Sequence, residues 1–597
     1  MQNLKKLSFL LSSEERFRAI LLLLMTLVMA LIEMLGVASI LPFIAVISNP
    51  QIIETNTILS TVYEIVTNFG INNEQEFLIA MGFFVFLLLI ISISFKSLTI
   101  YIQIRYVKLC EYNIAVRLIK GYLHQPFSWF LMHNSSILGK KILQDVGNVV
   151  NIGILPMMNL ITNSFITLSL FILLITVEPK LTSIAIITIS SFYALIYLFN
   201  LNLLKKIGKE VFKANEERYK ISSEAFGAFK EMKIGGLEET YINQFSKPSK
   251  SMAQNSALWG ILNQIPRFAL EAVTFGGMLL IVLFFMTITG DITKVLPIIA
   301  LYAFAGYRLM PALQKIFISF TSLRFVGPAL DSLYNDLKNL KPKTQKENKE
   351  TLKLNKNIFL KNIYYNYPNA SKTALKNINL NIPVNKTIGL VGATGSGKTT
   401  TIDVILGLLE PEKGTLEVDG KIINASNKRS WQRSIGYVPQ QIFLSDNTVS
   451  ANIAFGVNAN DINQKAVEDA AKIANLHEFV TNELPLKYET TIGERGVKLS
   501  GGQRQRIGIA RAIYHKPKVL VLDEATSALD NLTEKAVMKA LNNSENNITK
   551  ILVAHRLSTV RYCDNIYLFE KGELKNQGTF EELIQISDDF RESVNNS

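Results

Sequence analysis

The hydrophobic positions of this 597-residue chain fall into two regimes. Up to about residue 340, long stretches run almost without charge; beyond it, short apolar runs alternate with polar and helical ones. A helix needs about 20 apolar residues to cross a bilayer. Six stretches reach that length, near 19–47, 77–95, 149–177, 181–204, 258–289 and 295–323. The third and fourth are parted only by Glu178, Pro179 and Lys180, which predicts a tight hairpin. The second continues with helical character through Lys96 to Arg105, so helices that project past the lipid are expected. Within 49–76, Ile58, Leu59, Val62, Ile65, Val66 and Phe69 recur at helical spacing. They predict a short amphipathic helix at the outer interface, either purely structural or with a part in handling substrate.

Residues 341–352 are rich in Lys, Glu, Gln and Asn and read as a linker. From 353 to 597 strand-like and helical runs alternate, the pattern of an α/β domain. The expected architecture is a membrane all-α domain of six spans over 1–340, followed by an α/β domain over 353–597. Composition agrees: 48% of residues are hydrophobic and only 19% charged, against roughly 25% charged in soluble proteins. Disorder, collagen and coiled coil are excluded. The first apolar stretch runs past Glu33 to about Ile47 with no small-residue cleavage site, so a retained span is expected rather than a cleaved leader. Cys110 and Cys563, the two cysteines, cannot form a disulfide framework.

A net charge of +13 would invite nucleic acid as a partner in a soluble protein. Here the distribution decides otherwise. Segment 49–76 has no Lys or Arg, and the other loops on its side hold only Lys180 and Lys294. The opposite side carries Lys5, Lys6, Arg16, Arg18, Arg105, Lys108, Arg117, Lys120, Lys140 and Lys141. That asymmetry is the positive-inside bias. It predicts a cytosolic amino terminus, a cytosolic α/β domain, a multi-pass protein of the inner (cytoplasmic) membrane, and no nucleic-acid partner.

The apolar run Thr387-Ile-Gly-Leu-Val feeds into Gly392-Ala-Thr-Gly-Ser-Gly-Lys-Thr, a complete phosphate-loop motif, the mark of a P-loop ATPase. Backbone N–H groups and a helix amino terminus would close on phosphate oxygens there. Gly392, Thr394, Gly395, Ser396, Gly397, Lys398, Thr399 and Thr400 are the candidate nucleotide-binding residues, with Lys398 for the β/γ-phosphates and Thr399 for Mg²⁺. ATP and Mg²⁺ are the expected cofactors. Val519-Leu-Val-Leu ends in Asp523 and Glu524, which places one carboxylate for the metal and one to polarise the attacking water.

Leu499-Ser500-Gly501-Gly502-Gln503, followed by Asp-Glu-Ala-Thr-Ser-Ala-Leu-Asp530, resembles the nucleotide-binding domain of ABC transporters over about 353–597. The resemblance implies roles for further residues. Tyr367 would stack on adenine, Gln440 would sense Mg²⁺ as a metal-side catalytic residue, and Glu494 would sit in the exporters' coupling loop. Asp530 would lie in the cross-dimer loop, and His555 would contact the γ-phosphate. Ser500, Gly501, Gly502 and Gln503 would face the phosphate loop of a second copy, so a homodimer is implied. Segments 122–145 and 222–245 would carry short coupling helices.

Four cations lie within the apolar spans: Lys96, Arg267, Arg308 and Lys315. From the outer face they fall roughly 28, 34, 22 and 33 Å down their helices. Two readings stand. They reach lipid phosphates or pair locally, as Arg267 could with Glu271, or they line a cavity for an anionic substrate group. Leu41-Pro-Phe-Ile, Ile265-Pro-Arg-Phe-Ala-Leu-Glu and Tyr307-Arg-Leu-Met-Pro resemble PglK-type lipid-linked oligosaccharide flippases. That resemblance implies ATP-driven flipping of a polyprenyl-diphosphate glycan, with membrane lipids and the glycolipid as partners. Arg267 and Arg308 keep the arginine that it implies; Lys96 and Lys315 replace it, which removes bidentate pairing with phosphate. A general lipid or multidrug exporter is the alternative within transporters. An ATP-gated channel or regulator is the alternative outside them, and an intact Glu524 speaks against it.

Overall fold

The computed structural model describes residues 2–68, 73–289, 292–340, 350–368, 370, 372–525, 529–543, 548–554 and 557–595. Phe69, His555 and residues 341–349 of the expected linker lie outside these. The chain forms two compact units. One comprises Met1–Gln125 with His133–Lys343; the other comprises Thr344–Ser597 with the short segment Pro126–Met132.

The first unit is helical throughout its described residues. Its first long helix, Ser13–Ala38, is started by a capping box in which Ser12 and Glu15 exchange hydrogen bonds, and it runs on after Ser39 as Ile40–Ser48. Proline at the first turn opens both Leu155–Val177 and Pro179–Gly227, which makes the expected hairpin at Glu178. Among the described residues, five helical stretches are long and apolar enough to cross a membrane: Ser13–Ser48, Glu74–Leu123, Ser135–Val177, Pro179–Ile196 and Leu296–Phe325. The remaining expected span, 258–289, lies on the helix Glu238–Thr289, where several side chains are outside those described. Helices of 50, 49 and 52 residues are roughly 75 Å long at 1.5 Å per residue, more than twice the hydrocarbon core. The apolar faces of Ser13–Ala38, Leu155–Val177 and Ile292–Phe325 meet in a cluster where Met29, Ala30 and Val37 pack on Ile166, Leu170, Leu174, Leu301 and Ala305.

Between the first two spans the amphipathic helix forms as Thr57–Thr67, capped by Asn56. Leu59 packs with Val46, Ile53 and Phe77, while Ile58, Val62 and Ile65 stay exposed in an apolar stripe. Short helices form at Phe127–Leu131 and Phe229–Gly235, inside the two segments expected to carry them.

The second unit contains a six-stranded sheet in which Thr387–Gly392 lies between Asn565–Glu570 and Thr549–Val553. Val519–Asp523 follows in parallel, then Ile435–Val438; Glu573–Gly578 runs antiparallel at the far edge. These central strands read as unbroken apolar runs because both faces are covered. Val519 and Val521 face the helix Lys398–Ile405 and a four-stranded antiparallel sheet; Leu520 and Leu522 face the helix Gly501–Tyr514.

Candidate functional site

Strand Thr387–Gly392 delivers the phosphate loop directly into the helix Lys398–Ile405. Gly392 (φ 144°) and Gly397 (φ 106°) hold backbone that side-chain-bearing residues rarely adopt, and a Cβ on Gly392 would stand 2.2 Å from the Phe569 carbonyl oxygen. The loop therefore leaves room for backbone and nothing more. Lys398 is buried, and its Nζ donates to the carbonyls of Gly392 at 2.7 Å and Ala393 at 3.0 Å, stretched across the loop. Burial pulls the Lys398 ammonium below the usual lysine range, against the opposing charges of Glu524 and Asp523. Ser396 Oγ is buried with no hydrogen-bond partner among the described residues, an orphan that a phosphate oxygen would satisfy. Gly395 and Thr399 are exposed at the helix mouth; Thr400 is buried and shares a 3.1 Å hydrogen bond with the Tyr367 hydroxyl. Tyr367 is half-buried, edge-on to Tyr365, so an aromatic ring does stand beside the phosphate loop.

Asp523 ends its strand in register with Val553, one strand from the phosphate-loop strand. Burial and the charge of Asp523 push the Tyr437 hydroxyl above the ordinary tyrosine value. Glu524 follows with φ +50°, a left-handed backbone on a non-glycine residue, while its N–H donates to Val553 O at 3.1 Å. Its Oε2 accepts from Gln440 Nε2 at 2.8 Å. The two residues assigned to water and metal are thus joined. His555 belongs to this region in sequence but lies outside the described residues.

Ser500 caps the helix Gly501–Tyr514: its Oγ accepts from Gln503 N, and Gln503 Oε1 accepts from Ser500 N at 2.8 Å. The box spends one N–H on Ser500 and leaves Gly501 and Gly502 at an open helix amino terminus, a ready anion site. Asp530 accepts from Thr533 N at 3.0 Å, and hydrogen bonds from the Thr533 side chain and then its backbone lower the Asp530 carboxyl below the usual aspartate value. Glu494 is exposed in a one-turn helix, Glu494–Gly496. Sequence reasoning missed Arg511. It donates to Asn452 O and Phe443 O, each at 2.8 Å, and so ties the helix behind Ser500 to the segment that follows Gln440.

In the membrane unit the four cations separate. Arg267 pairs along its own helix with Glu271 at 2.8 Å and is largely exposed. Lys96 and Arg308 instead converge on Glu33, whose Oε1 lies 2.6 Å from Lys96 Nζ and 2.9 Å from Arg308 Nη1. Lys315 lies within electrostatic range of Lys96 and Glu33, and among the described residues no carboxylate is within ion-pair distance of it. Glu33 was not among the residues singled out from sequence; only its presence inside an apolar span could have marked it. A cavity of about 770 Å³ lies along the helix Ile292–Phe325, with Phe171, Tyr302, Leu309, Met310 and Leu313 in its walls; Glu33 and these cations are not among its lining residues.

Residues 375–527 match the sequence profile described as ABC transporter, and residues 20–311 match the ABC transporter transmembrane region. Mouse ATP-binding cassette sub-family B member 5 is 43% identical over 229 residues, 38% of this chain and 18% of that protein. The chain spans only that fraction of this relative's length. The ATP-dependent lipid A-core flippase of Ralstonia nicotianae is 28% identical over 480 residues, 79% of each chain. A bacterial Atm1-family ABC exporter, solved with ATP bound, shares the fold with a TM-score of 0.77 at 20% identity, over 98% of each chain. Two profiles of one family, in order along the chain, agree with the site built from its residues. The chain belongs to the ABC transporters, as a transmembrane region followed by an ABC ATPase domain with the exporter half-transporter fold.

Proposed function

We propose that this protein is an ATP-driven exporter that works as a pair of identical copies in the inner membrane. Its cargo is a lipid-linked oligosaccharide, a polyprenyl-diphosphate glycan, flipped to the outer leaflet. The observation that carries the cargo class is the charge cluster: Lys96 and Arg308 pair with one carboxylate, Glu33, and Lys315 lies within electrostatic range, in a membrane unit that also holds an apolar cavity. Cations in a span are costly unless an anion meets them. A diphosphate brings about two or more negative charges, and its polyprenyl chain suits apolar walls.

In the ATPase domain, Lys398 and the loop N–H groups bind and orient the phosphates, and Glu524, held by Gln440, accepts the proton of the attacking water. The Thr399 hydroxyl and the Asp523 carboxylate would offer oxygen donors to Mg²⁺, with nucleotide phosphates and water supplying the others. Mg²⁺ bound there neutralises charge on the transferring phosphoryl group. His555 is assigned to the γ-phosphate, and Ser500 to Gln503 with Asp530 to the nucleotide held by the other copy.

General lipid or multidrug export is the second reading, favoured by the apolar lining of the cavity and by the name of the lipid A-core flippase among the relatives. Purified protein in liposomes separates the two. ATPase activity is measured against polyprenyl-diphosphate glycans, phospholipids, lipid A and uncharged drugs. Stimulation by the diphosphate glycans above all others is expected. Stimulation by drugs or phospholipids alone would replace this reading with the second.

A further inference from the structure

Glu33 is the one carboxylate among the described residues that pairs with Lys96 and Arg308, and its geometry is unusual. Its side chain is 1% exposed, on the helix whose Met29, Ala30 and Val37 join the apolar core of the membrane unit. One oxygen, Oε1, serves two cations that come from different helices, Lys96 on Glu74–Leu123 and Arg308 on Ile292–Phe325. The other oxygen, Oε2, is buried with no hydrogen-bond partner among the described residues. A carboxylate built only to tie helices together would use both oxygens, since a carboxylate oxygen left bare in an apolar setting is costly. Arginine also offers a two-pronged donor that fits a carboxylate or a phosphate, yet only Nη1 of Arg308 is engaged by Glu33. The charges do not close either: Lys96, Arg308 and Lys315 against Glu33 leave two positive charges.

We propose that Glu33 is a built-in counter-anion for a phosphate site formed by these cations. Its carboxylate occupies Lys96 and Arg308 until a lipid diphosphate displaces it, and Lys315 supplies the third cation to that head group. This rests on the reading of the cargo as a diphosphate lipid. The arrangement makes the site selective: a group with one negative charge gains little by displacing a tethered carboxylate, whereas a diphosphate out-competes it with two or more charges and several oxygens.

Full-length protein in phosphatidylcholine liposomes is titrated with a polyprenyl diphosphate, a polyprenyl monophosphate and the uncharged polyprenol, with ATPase stimulation as readout. Glu33→Gln removes the competitor but keeps shape. It should lower the half-saturating concentration of the diphosphate by about tenfold, about 1.4 kcal/mol, and bring the monophosphate into range, with the polyprenol unchanged. Diphosphate stimulation in the parent with an equal or higher half-saturating concentration in Glu33→Gln would overturn the displacement and leave the cargo reading standing. No response to any phosphate lipid in the parent would overturn both. A second measurement covers a variant that does not fold. A carboxyl released from both cations in an apolar setting is open to hydrophobic carbodiimides. In the unaltered protein the polyprenyl diphosphate should raise carbodiimide labelling of Glu33, read by mass spectrometry; unchanged or reduced labelling counts against displacement.

Discussion

Glu524 combines a left-handed backbone with a carboxylate already hydrogen-bonded to Gln440. Such a φ on a non-glycine residue stores about 1–3 kcal/mol and persists only where its surroundings insist on it. Here the Val553 carbonyl accepts from Glu524 N and holds the turn, which aims the side chain away from the strand end. Glu524→Gln keeps the hydrogen-bonding shape and loses the basicity. ATP binding should persist while turnover falls by about 100-fold or more; a variant that turns over near the parent rate would remove Glu524 from the role of base. Asp403, on the helix leaving the phosphate loop, is raised to about 6 by burial, with the charge of Asp523 adding to it. A carboxyl whose folded value lies above its unfolded one holds its proton more tightly when folded. Stability is therefore lost as pH rises from about 4 to about 6 and stays lost above. Asp403→Asn should gain on the order of 2 kcal/mol at about pH 7.5 and nothing near pH 4. Denaturant unfolding followed by Trp431, buried in the same core, in a background with Trp129 and Trp259 replaced by Phe, reads this directly. Equal stability at the higher pH would show that Asp403 is solvated.

What the sequence revealed at the scale of elements depended on how local the determining physics is. The strand Val519–Asp523 is legible because four consecutive apolar β-formers need cover on both faces, and the phosphate loop because its glycines sit next to the helix they start. The long projecting helices follow from apolar runs continued by helical polar ones. The contacts of Arg511, Lys96 and Arg308 are not legible. Arg511 reaches carbonyls 59 and 68 residues away, and Glu33 meets cations 63 and 275 residues away, so only the folded packing brings them together. The π-helical turns Lys141–Asp145 and Val150–Ile154 likewise leave no period in the sequence. Arg511 yields an element-scale prediction. Burial pulls its guanidinium down to about 10, yet it still bonds Asn452 O and Phe443 O. Arg511→Met fills the space and abandons those carbonyls at about 1–3 kcal/mol. The segment between Gln440 and Asn452 should loosen, read as faster amide hydrogen exchange there, with turnover reduced more than ATP affinity. Unchanged exchange across that segment would mean the tie is dispensable.

For the whole molecule, the sheet sets the two helix ends of the proposed nucleotide site on different faces. The helix after Lys398 packs through Ile402 and Ile405 on the face of Val519 and Val521, whereas the helix after Ser500 packs through Ile507, Ile509 and Ile513 on the face of Leu520 and Leu522. The two helix amino termini that would hold phosphate oxygens thus start from opposite faces of one sheet. On the proposed reading a second copy brings its Ser500 end to the first copy's Lys398 end, and the pair then has two such sites. Chains carrying Lys398→Ala lose the phosphate grip; chains carrying Ser500→Arg lose the cap and place a bulky cation at the helix mouth. In a mixed pair, one site collects both lesions and the other has neither. With Glu524→Gln in every chain to stop turnover, mixed pairs isolated through two different affinity tags should occlude one ATP each, and both pure pairs none. Counting bound nucleotide after rapid desalting gives the stoichiometry. Zero in confirmed mixed pairs would place each site within a single chain, and two would show that neither lesion disables the site it was placed in.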